Sequence, residues 1–96
     1  MITDLTVSND ARTLLVTCGE GDSFRLTAAS LRQQAMDSAS RRERIEKGVI
    51  SVLPDIQITA LAPMGSSGIN IQFSDGHKKA IFPYSYLQKI AVSADN

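Results

Sequence analysis

The chain has 96 residues, of which 43% are hydrophobic, and its ten basic residues balance its ten acidic residues. This size predicts one domain with its own hydrophobic core. The zero net charge gives no electrostatic reason to bind nucleic acid or an anionic membrane. The single cysteine excludes an internal disulfide and any site that needs two thiolates from one chain.

The sequence carries no recognisable signal for export or membrane insertion. Residues 1–4 lack the basic and apolar regions of a secretion signal. No apolar run approaches the roughly 20 residues that cross a bilayer. The lone cysteine also fits a reducing compartment. We therefore expect a cytoplasmic protein.

The first part of the chain predicts three strands and a helix. Apolar residues alternate with polar ones in two successive segments, which is the period of a half-buried strand. The alternating apolar residues are Leu5, Val7, Leu14, Val16 and Cys18. A glycine-rich turn at 19–22 leads to a third strand at 24–26, and Thr27 can cap the helix that follows. This pattern predicts a buried, unreactive thiol at Cys18.

The middle of the chain predicts a variable polar segment, residues 36–48. Ser40 and Glu43 have the spacing of a capping box, and Gly48 can end the short helix behind them. Because this helix is polar nearly all round, we expect it to lie on the surface and to be mobile. Residues 49–53 fit either an edge strand or a linker.

The second part of the chain repeats the order of the first. Its clearest strand alternates Ile69, Ile71 and Phe73 with polar residues. A strand before it, the turn at 75–76 and a short strand after the turn complete the set. Pro83 can open the last helix, because the first turn of a helix does not need its missing N–H.

The two parts therefore share the order β-β-β-α, in which Leu31 corresponds to Leu87 and Ala35 corresponds to Ala91. One such meander is too small to be stable alone, so we expect the two halves to share a core. The predicted fold is a single small α+β domain over 1–96, with mostly antiparallel strands and with the helices packed on one face.

An ordered set of residues in the second half carries a family resemblance. The set is Pro63, Met64, Gly65, Ile69, Ile71, Phe73, Asp75, Gly76, His77, Ile81, Phe82, Tyr84, Tyr86 and Leu87. The strand pair, the acidic glycine turn and the Leu31–Arg32 pair of the first half extend it over nearly the whole chain. The sequence resembles the N-terminal domain of gamma-butyrobetaine hydroxylase and trimethyllysine hydroxylase. It is still more similar to small bacterial proteins built from that domain alone.

The resemblance implies a zinc site that this sequence does not preserve. In the hydroxylases, three cysteines and the histidine of an Asp-Gly-His turn hold a structural zinc. The three cysteine positions read Ala35, Asp37 and Ser40 here, so that His77 alone remains. Structural zinc requires four strong ligands, usually nitrogen and sulfur atoms. We therefore predict that these four positions are vacant and that the protein has no cofactor.

The resemblance also implies what the chain does. The hydroxylase reaction uses iron and 2-oxoglutarate in a separate catalytic domain, whose iron site needs two histidines and a carboxylate. A chain with one histidine cannot supply that site, so we predict no enzymatic activity. The interpretation is a non-catalytic accessory or protein-interaction module. By resemblance, its partner is a metal-dependent enzyme or an iron–sulfur assembly factor, and we expect a monomer or a weak dimer.

Two other interpretations stay open at this stage. The first is a metal-binding or metal-transfer protein that uses Asp37, Asp75 and His77, shared across a dimer. The second is a hydrolase, for which the sequence offers no nucleophile–base–acid set. In the favoured interpretation the turn of Asp75, Gly76 and His77 is a candidate contact surface. His77 is then an exposed turn residue.

Overall fold

A computed structural model of the protein describes residues 2–19 and 21–94. Glu20 of the predicted first turn, and residues 1, 95 and 96 of the predicted domain, lie outside the described residues. The elements in chain order are β1 (Ile2–Val7), β2 (Thr13–Cys18), β3 (Asp22–Thr27), α1 (Ala28–Gln33), α2 (Ser38–Lys47), β4 (Ile58–Met64), β5 (Gly68–Phe73), β6 (Ala80–Pro83) and α3 (Tyr84–Ala94). None of these described helices has the length and apolarity needed to cross a bilayer.

The strands form two antiparallel three-stranded sheets, ordered β1-β2-β3 and β4-β5-β6. Each sheet is a simple meander, and a helix follows its last strand directly, α1 after β3 and α3 after β6. The extra helix α2 lies between the two halves. The predicted α+β fold with two β-β-β-α halves is therefore confirmed.

One hydrophobic core joins the two halves. Leu14 and Leu31 of the first half belong to the same buried cluster as Ile71 and Leu87 of the second, and all four are 0% exposed. Helix α3 contacts both β6 of its own half and strands β2 and β3 of the other half. The halves therefore pack as one domain around a shared core and not as two tandem domains. Cys18 is buried in this core, as predicted.

The repeat holds at the level of single residues. Leu31 and Leu87 are each the fourth residue of their helix, in α1 and α3 respectively. Both leucines, and the corresponding Ala35 and Ala91, are fully buried. Thr27 caps α1 by accepting a hydrogen bond from the backbone N–H of Ser30 at 3.1 Å. The sequence correspondence therefore marks equivalent contacts with the core.

The predicted start of α2 is wrong. The helix begins at Ser38, and the side chain of Asp37, not Ser40, caps it by accepting a hydrogen bond from the Ser40 N–H. Ser40 is 1% exposed and Glu43 does not cap the helix; its Oε2 is buried without a hydrogen-bond partner. Gly48 ends the helix with a left-handed φ of 80°, as predicted.

The structure also sets the boundaries of three other segments. Residues 49–57 form neither helix nor strand, so the linker interpretation of this segment is correct. Pro63 lies in β4, which it can do because β4 is an edge strand and needs no N–H there. Pro83 still pairs with Gly68 as the last residue of β6, so the helix begins one residue later.

The shared core can be tested with Leu87→Ala. We expect the free energy of unfolding to fall by about 2–5 kcal/mol, because the change leaves a cavity between the halves. Urea denaturation followed by circular dichroism measures the loss. Val92→Ala is the matched control in the same helix, since Val92 is 43% exposed and should change stability by less than about 0.5 kcal/mol. Two separate transitions in the wild-type protein would contradict the shared core.

Candidate functional site

Three elements from both halves bring five polar side chains together. Arg32 lies on α1, Asp37 caps α2, Ser40 lies in the first turn of α2, and Asp75 and His77 lie in the connection between β5 and β6. We call these residues the five-residue polar network. The network contains three of the four positions that the resemblance assigns to the family's zinc.

Hydrogen bonds join the network into a closed ring. Arg32 Nε donates to Asp75 Oδ2 at 2.9 Å, and Arg32 Nη1 donates to Ser40 Oγ at 3.0 Å. Ser40 Oγ donates to Asp37 Oδ1 at 2.7 Å, and the same oxygen of Asp37 lies 2.9 Å from His77 Nε2. The backbone N–H of His77 donates to Asp75 Oδ1 at 2.9 Å and closes the ring. Each element is thus tied to the other two.

The turn after β5 positions the histidine. Gly76 adopts a left-handed φ of 89°, a conformation that other residues rarely take, and its N–H donates to Phe73 O at 3.1 Å. The N–H of Phe73 donates to His77 O at 3.0 Å, which fastens the far side of the turn to β5. Together with the Asp75 side chain, these bonds form the Asx–Gly turn that the sequence predicts.

The predicted exposure of His77 is wrong. Its side chain is 13% exposed, and its ring faces Asp37, whose side chain is 9% exposed. The neighbouring Lys78 and Lys79 are exposed, whereas the His77 ring faces the network. The turn therefore presents Gly76 to solvent while the Asp75 and His77 side chains lie mostly inside the network.

The network is also a buried electrostatic unit. Arg32 and Asp75 form an ion pair whose side chains are 11% and 16% exposed. Burial acts to raise the pKa of Asp37, but hydrogen bonds from Ser40 and His77 outweigh it, so the pKa lies below its ordinary value of 3.8. Asp37 is therefore ionised at neutral pH and can only accept hydrogen bonds. It follows that the Nε2 atom of His77 carries the proton.

This arrangement does not form a nucleophile and base. The Ser40 hydroxyl donates a hydrogen bond to Asp37 Oδ1, and its oxygen is 3.5 Å from His77 Nε2. Because that nitrogen already carries a proton, it cannot accept one from Ser40. The fourth family position, Ala35, is fully buried and carries no ligating atom. Among residues 2–19 and 21–94, no three His, Cys, Asp or Glu side chains are grouped to hold a metal.

Two important residues were missed in the sequence. Arg32 entered only as a neighbour of Leu31, although it is the centre of the buried network. Tyr86 entered only as a member of the family set, but it is half-buried, it stacks on Phe82, and its hydroxyl donates a hydrogen bond to Gln34 O at 2.9 Å. The position of Arg32 directly after the core residue Leu31 was a signal that it could be buried. Its hydrogen-bond acceptors could not be predicted, because they are not its neighbours in the sequence.

Helix α2 is fastened to the end of α1. Arg44 Nη2 donates to Gln33 O at 2.9 Å and to Ala35 O at 2.7 Å. Asp37 and Ser40 fasten the start of α2 to the network, and Arg44 fastens the helix further along to the end of α1. These contacts lead us to expect an ordered helix where polar composition predicts a mobile segment.

Amide hydrogen exchange tests the order of α2. We expect slow exchange in 41–47, and about tenfold faster exchange there in Arg44→Met, because two hydrogen bonds from a charged group are lost. Amides of β5 should not change. Arg41→Met is the control, since Arg41 is exposed and lies on the same helix. Unprotected exchange across α2 in the wild-type protein would support the mobile segment instead.

The role of Asp37 can be tested with Asp37→Asn, which keeps a capping oxygen but removes the charge. We expect a loss of about 1–2 kcal/mol of unfolding free energy at neutral pH. Because folding lowers the pKa of Asp37 below 3.8, the wild-type advantage is full above that value and is lost as the pH falls through the folded-state pKa. Urea denaturation of both proteins across this pH range measures it.

Asp55→Asn is the matched control for this pH series. Asp55 is 83% exposed and pairs with Arg12 at 3.0 Å, so its loss should have little effect on stability. An equal loss at Asp55 would contradict the special role of Asp37. So would a wild-type advantage over Asp37→Asn that stays constant to the lowest pH.

Solved structures with this fold provide a comparison. A crystal structure of a protein of unknown function in the DUF971 family, from Acidithiobacillus ferrooxidans, is 21% identical with a TM-score of 0.74, over 94% of this chain and 91% of that one. Two NMR solution structures are 23% and 20% identical, with TM-scores of 0.73 and 0.71. They cover 99% and 97% of this chain and 75% and 70% of their own. At these identities the similarity concerns the fold.

No curated protein matches the sequence significantly. The family model for the gamma-butyrobetaine hydroxylase-like N-terminal domain matches residues 5–88. This range contains α1, α2, both sheets apart from the first residues of β1, and all five residues of the polar network. The chain therefore belongs to the gamma-butyrobetaine hydroxylase-like N-terminal domain family, as its sequence resemblance predicts.

Proposed function

We propose that the protein is a non-catalytic accessory module that binds another protein, and that its polar network takes the structural place of the family's zinc. The observation that carries the proposal is the contact of 2.9 Å between His77 Nε2 and Asp37 Oδ1. The imidazole nitrogen at the remaining ligand position is bonded to a carboxylate at a former cysteine position. Side chains alone can therefore join α1, α2 and the β5–β6 turn.

The donor set around His77 does not fit zinc. Ala35 offers no donor atom, and Ser40 Oγ is committed to Asp37 and Arg32. Zinc is held by deprotonated thiolates, neutral imidazoles and carboxylates, usually four of them. The guanidinium of Arg32, 3.0 Å from Ser40 Oγ, also puts a fixed positive charge where a cation would be repelled. Both facts support a metal-free role for these residues.

The side chains that could do chemistry are withdrawn from solvent. Ser40 is 1% exposed and the thiol residue Cys18 is 8% exposed, so neither can reach a substrate without local unfolding. His77 is bonded on the nitrogen that faces the network. A site without an accessible nucleophile or base supports an accessory role. The partner class remains the one implied by the resemblance, a cytoplasmic metal-dependent enzyme or assembly factor.

The rival function is metal binding or metal transfer through Asp37, Asp75 and His77. Both oxygens of Asp75 already accept hydrogen bonds, Oδ2 from Arg32 and Oδ1 from the His77 backbone. A metal bound through Asp75 would therefore compete with these hydrogen bonds and with the part-buried ion pair to Arg32. Breaking a buried pair in this way costs several kcal/mol. This cost favours the accessory role over the rival.

A metal titration separates the two functions. We expect the ring signals of His77 to stay unchanged in NMR spectra at micromolar zinc or ferrous iron, because a metal at Nε2 would have to displace its proton and break its contact with Asp37. Shifts of the His77 ring signals, or backbone amide shifts that disappear in His77→Asn, would favour the rival. Shifts that persist in His77→Asn come from binding elsewhere and leave the network proposal intact.

Capture from the native cell tests the partner. The chain, produced at its natural level and cross-linked in the cell, should be recovered with one predominant protein in comparable amount, identified by mass spectrometry. Recovery of the chain alone would contradict a protein-binding role. Recovery with the partner should survive His77→Asn if the network is structural and the variant folds.

A further inference from the structure

A groove opens beside the network, between the start of α2 and the edge strand β6. Its apolar lining consists of Met36, Ala39 and Ile81, and its charged lining includes Arg42 and Lys79. The volume is about 590 Å³, enough for a side chain and the backbone around it. We call these five residues the α2–β6 groove.

The two large apolar side chains of the groove are open to solvent. Met36 and Ile81 are each 46% exposed. Ile81 faces outward because its neighbours on β6, Ala80 and Phe82, point into the core at 0% and 1% exposure. β6 is the last strand of its sheet, so its outer edge has no strand neighbour among the described residues. Such an edge is a ready template for an extended chain.

The charged side chains of the groove that are available to a ligand have one sign. Arg42 and Lys79 form no ion pair with any side chain in the described part of the chain. The acidic residue of the lining is Asp37, which is 9% exposed and committed to His77 and Ser40. A ligand therefore meets an apolar surface bordered by two available cations. This combination attracts carboxylates and repels basic segments.

We infer that the α2–β6 groove binds an extended segment of a partner protein in which an apolar side chain is flanked by carboxylates. The apolar side chain packs between Met36 and Ile81, and the carboxylates pair with Arg42 and Lys79. The backbone of the segment runs alongside β6, as in other strand-addition complexes. This inference rests on the proposed protein-binding function and adds the surface and the chemistry of the partner.

Selection from random short peptides displayed on phage tests the inference whatever the identity of the partner. Binding peptides should be enriched in Asp and Glu around a central Leu, Ile, Met or Phe. The double variant Arg42→Glu with Lys79→Glu should bind a selected peptide about tenfold or more weakly. Arg41→Glu with Lys78→Glu is the control, because it changes the net charge equally with two neighbouring exposed cations outside the groove.

A second pair of variants tests the apolar contact. Met36→Ser should weaken binding, whereas Met64→Ser should not, since Met64 is 49% exposed but lies away from the groove. Circular dichroism confirms that each variant folds. Enriched peptides without acidic residues, or equal losses in both charge-reversal variants, would overturn the groove while leaving the protein-binding function in place. The absence of any enriched peptide would also contradict peptide binding by the groove. Capture from the native cell would then test the protein-binding function separately.

Discussion

Arg32 is a buried cation, and the positions of three elements follow from its need for acceptors. An unpaired guanidinium at 9% exposure would cost several kcal/mol, so its hydrogen bonds to Asp75 and Ser40 are structural requirements. Asp75 comes from the second half of the chain and Ser40 from the helix between the halves. The polar ring therefore couples the halves at one end, as the shared hydrophobic core couples them elsewhere. Because one ring passes through all three elements, a movement of any one of them breaks hydrogen bonds to the others.

Under the proposed function, the ring of hydrogen bonds does the structural work that zinc does in the family. A zinc tetrahedron and a closed ring of hydrogen bonds both hold loops at fixed distances, but they depend on different conditions. A zinc site depends on metal supply and on deprotonated ligands. The ring found here depends on the ionisation of Asp37 and on a protonated Nε2 at His77. Replacing the first by the second would free the domain from metal supply while keeping the α2–β6 groove in place beside it.

Much of the fold could be predicted from the sequence because its signals are local. Alternation at Ile69, Ile71 and Phe73 predicts a strand, and the matching positions of Leu31 and Leu87 predict the repeat. The capping residue could not be predicted, because Asp37 and Ser40 both suit a helix start and lie three residues apart. Tertiary contacts with Arg32 and His77 decide between them. The burial of His77 was missed for the same reason, since its partner lies 40 residues away along the chain.

The separation of Arg32 from its acid also bears on how the chain matures during translation. Asp75 lies 43 residues after Arg32 in the chain, so α1 leaves the ribosome before its counter-ion does. In that interval the guanidinium must stay hydrated, and Leu31 beside it lacks the core contacts that α3 later supplies. The first meander is then incompletely packed: Arg32 is hydrated at one end, and the apolar face that contains Leu31 is exposed to water. Only after the β5–β6 turn has emerged can Arg32 exchange its water for hydrogen bonds to Asp75 and become buried.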